Sequence, residues 1–250
     1  MLHLAAFYQS VNSAGVLTNI AAVPDQAIFT SGNDVRVPSD LLTIIWEAAL
    51  SAQTGPAYAQ LQSPSMRELV NQYISKVVNG VVFTAYDQAQ QHLTSPRKLV
   101  ANESINAAIE ATGGAAAANY VLMCLADASP KAVSGDIFTV RATGAAALSA
   151  GAWVNTPVSF LDTLPAGSYQ VVGLRAQGAN LVAARMVFIG QGYRPGVHGV
   201  TGSGEQDMHN SRYGVMGVLG QFDVNQPPTV DCLGVTDTAQ VFDFDLIKVK

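Results

Sequence analysis

Two groups of residues in this 250-residue chain have types and spacings that could carry chemistry. The first is His198, Glu205, Asp207 and His209, all in one polar stretch. Imidazole with carboxylate suits a transition metal, and Asp207 and His209, two positions apart, would project to one side of an extended segment. The spacing matches no compact zinc motif and no thiolate is near, so a solvated loop is the expectation; a transition-metal site, or a weak calcium site from Glu205, Asp207 and loop carbonyls, is its competitor. The second group is Asp243 and Asp245 on one face of a C-terminal strand, with Asp231 and Asp237 upstream. Paired carboxylates can do acid and base work where a cleft drives their pKa values apart; a solvated strand face or a salt bridge between subunits is the expectation instead. No Gly-x-Ser-x-Gly nucleophile elbow occurs. Gly190-Gln-Gly192 and Gly214-Val-Met-Gly217-Val-Leu-Gly220 match neither Gly-x-Gly-x-x-Gly nor a phosphate-binding loop, and read as turns and bulges. No catalytic residue, cofactor or metal is therefore assigned, and the chain is expected not to be an enzyme.

Arginines and tyrosines suggest contact instead. Arg175 and Arg185 lie across a predicted hairpin, while Tyr193, Arg194, Arg212 and Tyr213 lie in a Gly-rich loop from Gly190 to Gly220. A planar guanidinium and an aromatic ring are the groups enriched at interface hot spots. These six residues are expected to contact neighbouring subunits, so that Arg194→Ala or Arg212→Ala should weaken assembly without unfolding the subunit.

The elements that would position these residues are mostly strands. Leu2 to Ser10 and Gly15 to Val23 flank the turn Asn12-Ser-Ala-Gly15, and Ser31-Gly-Asn-Asp34 separates two further short runs. Leu41 to Leu50 follows Pro38-Ser39-Asp40 like a capped helix, yet its β-branched and aromatic residues favour a strand. Ser63 to Val78 is the best helix, with Pro64 at the first position and Met66, Leu69, Val70, Tyr73, Ile74 and Val77 at helical spacing. Tyr120 to Leu125 reads as a buried strand. The turn-rich Ser129-Pro-Lys-Ala-Val-Ser-Gly135 marks a boundary between an N-terminal half, residues 1–130, and a C-terminal half, residues 131–250. Beyond it come Ile137 to Ala142, Trp153 to Phe160, a hairpin from Tyr169 to Ile189 turning at Gly178-Ala179-Asn180, and an alternating strand from Val241 to Val249. The expected fold is mainly β, two antiparallel jelly-roll-like sandwiches with one or two short helices.

Composition narrows the function. Charged residues make up 12% and apolar ones 49% of the chain, with mean hydropathy +0.23; the charged share is about half that of an ordinary soluble domain. The longest apolar runs fall short of the roughly 18 residues a spanning helix needs. A subunit that covers its apolar surface with copies of itself accounts for the composition. Net charge is −5 with no basic cluster, which argues against direct nucleic-acid binding. Cys124 and Cys232 are too few for a disulfide framework and are expected to be reduced. The N-terminal residues do not have the layout of a signal peptide, so synthesis and assembly in the cytoplasm are expected.

Short strands throughout, an interposed helix, the Gly- and Pro-rich loop from Gly190 to Gly220 and a closing strand together resemble the jelly-roll major capsid proteins of non-tailed icosahedral viruses. At this length the chain is similar to the compact double jelly rolls of membrane-containing bacterial viruses. The resemblance implies a virion subunit tiling an icosahedral shell, often as a homotrimer, in contact with its own copies and other virion proteins. Its low basic content departs from capsids that bind their genome directly. Two other classes compete: a phage decoration, tail or surface-layer β protein, and a carbohydrate-active enzyme on a β-sandwich. The last would want exposed aromatics beside carboxylates, whereas Trp46 and Trp153 both sit in apolar strand contexts.

Overall fold

A computed structural model describes residues 1–13, 15–53, 57–67, 72–75, 77–78, 90–200 and 211–249. The chain is mainly β, with 52% strand and 2% helix. The N-terminal strands are β1 (Leu2–Val11), β2 (Thr18–Ala22), β3 (Thr30–Ser31), β4 (Asp34–Arg36), β5 (Thr43–Ser51), β6 (Ala57–Gln62), β7 (Gln72–Ser75), β8 (Val77–Val78), β9 (Gln90–Gln91), β10 (Arg97–Lys98), β11 (Ser104–Ala111) and β12 (Ala117–Ala126). After the connection 127–137 come β13 (Phe138–Gly144), β14 (Val154–Pro157), β15 (Ser159–Phe160), β16 (Ser168–Gly178), β17 (Leu181–Val187), β18 (Gly196–Val200), β19 (Gly220–Asp223), β20 (Thr229–Gly234) and β21 (Gln240–Lys248). Among the described residues, strands β1–β12 form backbone ladders with one another and β13–β21 with one another, giving sheets of 12 and nine strands.

Each sheet doubles back on itself at a shared strand. In the N-terminal half β2 pairs with β1 on one side and β11 on the other. One core lies between the two layers so formed: Ala5 and Phe7 of β1 and Val121, Met123 and Leu125 of β12 meet Ile20, Leu61, Ile105 and Ile109. The alternate residues of the same strands, Leu2, Leu4, Tyr120, Leu122 and Cys124, face the other way into a second core shared with the C-terminal half. β1, β5 and β12 are thus buried on both faces, which is why their sequences are continuous apolar runs without period-two alternation. Leu41 to Leu50 is ambiguous in sequence for this reason, and most of it is strand β5. A bulge there, where Cys124 pairs with Trp46 and Leu125 with Ile44, turns both Ile45 and Trp46 into the shared core.

Two sequence expectations are corrected. Of the helix expected over Ser63 to Val78, the described residues show one turn, α1 (Pro64–Arg67), and strand at Gln72–Ser75 and Val77–Val78. Ser63 caps α1, its Oγ accepting the Met66 N–H at 3.2 Å, and Glu103 accepts the Ser65 N–H at 3.0 Å. Gln72–Ser75 is then a strand antiparallel to β6, from Tyr58 opposite Ser75 to Leu61 opposite Gln72. An available strand edge and β-forming Tyr and Ile override the helical spacing. Second, the chain does turn at Ala179-Asn180, but β16 and β17 are not a hydrogen-bonded hairpin. β18 lies between them, parallel to β16 through Ala176 and Gly199 and antiparallel to β17 through Ala183 and His198. Gly199 permits this approach, because a Cβ there would lie 2.4 Å from the Leu181 carbonyl oxygen.

The halves meet closely. Gly196 of β18 sits where a Cβ would strike Leu4 of β1 at 2.7 Å, and the Leu4 N–H donates to the Arg194 carbonyl at 2.9 Å. The Tyr120 hydroxyl donates to the Gly234 carbonyl at 2.8 Å. In each half the first strand pairs with the last, β1 with β12 and β13 with β21.

Candidate functional site

The polar centre of the molecule lies where the halves join. Adjacent strands set Asn155 of β14, Asp231 of β20 and Arg185 of β17 directly opposite one another, so all three project from one sheet face. That face looks toward β1 and the turn after β2. Arg185 is fully buried. Its Nε donates to Asp231 Oδ2 at 3.0 Å and its Nη1 to the Leu4 carbonyl at 3.0 Å, with a further ion pair to Asp25. The guanidinium lies 4.0 Å from the ring centre of Trp153, within cation–π range. Arg194 adds a bond from Nη1 to Asp231 Oδ2 at 2.6 Å and one from Nη2 to Gln26 Oε1 at 3.0 Å. Two guanidinium groups thus face two carboxylates, and the formal charges cancel.

His3 completes the cluster. The Arg194 N–H donates to its Nδ1 at 3.2 Å, leaving Nε2 to donate to Asp25 Oδ2 at 3.0 Å; this fixes one neutral tautomer. Burial pushes the His3 pKa down, and Arg185 and Arg194 add to that against the opposing pull of Asp25. Burial alone would raise the Asp25 carboxyl, but the His3 hydrogen bond and the Arg185 charge outweigh it and hold Asp25 well below the usual carboxylate range. Both ring nitrogens of His3 are engaged, so the pair positions the halves and offers no free base.

A second cluster lies on the C-terminal sheet. Arg212 grips Asp245 with two bonds, Nε to Oδ2 at 2.7 Å and Nη2 to Oδ1 at 2.8 Å. Asp245 also accepts the Thr139 hydroxyl at 2.7 Å and the Tyr213 N–H at 2.9 Å. Gly173 leaves room for it: a Cβ there would lie 2.2 Å from the Asp245 carboxylate and 3.0 Å from the Arg212 backbone. Asp243, on the same strand face, accepts Arg141 Nε at 2.9 Å and Arg175 Nη1 at 3.1 Å. These bonds outweigh burial and lower its pKa. The carboxylate pair singled out in the sequence is therefore an anchor for arginines, with segment 211–219 laid over the strand that carries it.

Within the chain, the six residues expected at subunit contacts are placed as follows. Arg175, Arg185, Arg194 and Arg212 direct hydrogen bonds to carboxylates of their own chain, because a guanidinium in an apolar interior requires a counter-charge. Tyr193 donates to Asp40, in the other half, and burial and that bond raise its pKa to about 12. Tyr213 alone of the six is exposed. His198 is buried, its Nδ1 within 3.2 Å of the Gly199 carbonyl oxygen and its ring edge-on to Trp46 at 6.2 Å. Glu205, Asp207 and His209 lie outside the described residues. Trp153 packs against the shared core and, with Gln26, Asn155, Arg194, Thr229 and Asp231, also lines a cleft of about 330 Å³.

His3, Asp25, Gln26 and Asn155 were not singled out by sequence. A usable signal was Arg185 within Leu181-Val-Ala-Ala-Arg-Met-Val187, since an arginine in an otherwise apolar strand requires a buried acid somewhere in the chain. Comparison of the chain with protein-family models, curated proteins and solved structures found no match in any of the three.

Proposed function

We propose that the chain is a structural subunit that assembles with copies of itself, and that the assembly is the icosahedral shell of a virion. One observation carries this: the few charges of the chain are drawn inward while large apolar side chains remain outside. Five of the 13 Lys and Arg residues are engaged with Asp25, Asp231, Asp243 and Asp245 in the two clusters, and all but Arg141 have mostly buried side chains. Ile189, Leu161, Val16, Phe29 and Val100 are each more than half exposed. The surface is therefore less charged than the composition alone implies, and association is the ordinary means of covering such side chains. The same inward use of arginine removes the cationic groups that a phosphate backbone would need. No helix among the described residues is long and apolar enough to cross a membrane.

Sedimentation velocity across protein concentration and salt, with electron microscopy of the same samples, tests the proposal. Trimers or larger closed particles are expected, and Ile189→Asp or Leu161→Asp should shift the distribution toward monomer without lowering the melting temperature. A monomer at every concentration and salt would overturn it. Sheets or tubes in place of closed particles would retain self-assembly and reject the shell.

A further inference from the structure

We infer that the cleft between the halves is a binding site for a neutral saccharide, with Gln26, Asn155, Thr229 and Trp153 as its recognition groups. Its volume, about 330 Å³, lies at the small end of the roughly 300 to 1,000 Å³ range of small-molecule sites. The site is built on fixed side chains. Asn155 Nδ2 is held by Thr229 Oγ1 at 2.8 Å and Asp231 Oδ1 at 2.9 Å, and Gln26 Oε1 is held by Arg194. These bonds orient the amides while leaving Asn155 Oδ1 as an acceptor and Gln26 Nε2 as a donor with no partner among the described residues. The Thr229 hydroxyl hydrogen is likewise available.

Charge decides the ligand class. An anion would need an unbalanced cation, but Arg185 and Arg194 are both held by Asp231, and Arg185 by Asp25 as well. An apolar ligand would strand the amides. A polyhydroxylated neutral ring offers what remains, hydroxyls that both donate and accept and C–H faces that suit an indole. The Asp231 carboxylate already accepts bonds from Arg185, Arg194 and Asn155, so it orients neighbours and is not free to act as acid or base; the cleft binds and does not cleave.

The test is calorimetry and saturation-transfer NMR on the intact chain with glucose, galactose, mannose and N-acetylglucosamine, their β1,4-linked disaccharides and trisaccharides, and sulfate as the anionic control. A saturable interaction with at least one neutral sugar is expected, unaffected by sulfate. Asn155→Ala and Gln26→Ala, both at exposed positions, should each weaken it roughly tenfold, the loss of about one oriented hydrogen bond, while the chain stays folded by circular dichroism. Affinity that rises with chain length identifies the ligand as a glycan; equal affinity identifies a free sugar. The inference is overturned if no probe saturates up to roughly 20 mM, if sulfate competes, or if a folded Asn155→Ala/Gln26→Ala double variant binds like the parent. Loss of assembly leaves this result intact, because the cleft lies within one chain.

Discussion

The two arginine–carboxylate clusters use the same chemistry for different purposes. At the junction, Arg185 reaches across about two-thirds of the sequence to Asp25 and joins two sheets that no strand ladder connects among the described residues. On the C-terminal sheet, Arg212 reaches Asp245 and holds a covering segment on a strand of its own half. The difference is in what remains when the arginine is removed. Removing Arg212 takes the cation from one carboxylate, Asp245, which keeps a hydroxyl and a backbone N–H; removing Arg185 takes a cation from two carboxylates at once, leaving Asp25 with His3 and Asp231 with Arg194 and Asn155. A buried pair therefore matters according to how many charges depend on the same partner and how well other donors replace it.

The largest expected effect is at the junction. Arg185→Met, which keeps volume but removes the charge, should cost about 3–5 kcal/mol in urea unfolding. A loss no larger than that of Arg212→Ala would break the distinction between the clusters. Arg212→Ala should cost about 1–3 kcal/mol and make segment 211–219 the first site of proteolytic cleavage. Arg141 has a side chain 56% exposed beside the mostly buried Arg175, so Arg141→Ala should change stability by no more than about 1 kcal/mol.

Acid should separate the clusters without mutation. The folded-state pKa of His3 lies below its unfolded value, so the unfolded chain takes up the proton first as pH falls. The contribution of neutral His3 is complete above about pH 6.5 and declines below it. Asp25 and Asp243 have depressed folded-state values, and their contributions are complete above about pH 4 and are lost only below it. Urea midpoints should therefore fall between about pH 7 and 5 in the parent and stay level over that window in His3→Asn. A parallel fall in both proteins would remove His3 from the explanation.

Much of the β architecture was legible because turns announce themselves locally. Gly32 has φ 58° between β3 and β4, and Ser31 pairs with Asp34 there, as the Ser-Gly-Asn-Asp sequence implies. What escaped depended on partners distant in sequence. The strand Gln72–Ser75 exists because β6 is beside it, and β16 and β17 are parted because β18 returns to lie between them. The junction escaped for the same reason: His3, Asp25, Arg185 and Asp231 come from four distant segments, and only the misplaced charge of Arg185 is visible locally. Trp153 packs against the shared core, as its apolar neighbours in sequence imply, but its stacking on the guanidinium of Arg185 is not visible locally.

The pairing of the first strand of each half with its last bears on how the protein is made. Leu2 is paired with Ala126, so at about 5–20 residues per second the ribosome releases β1 roughly 6–25 s before its partner emerges. Until the C-terminal half folds as well, the face carrying Leu4, Trp46 and Leu122 has nothing to cover it. Such non-local closure slows folding and prolongs the life of sticky intermediates. Yield in a cell should then be governed by holding chaperones and by translation rate upstream of β12, more than by the stability of the finished molecule.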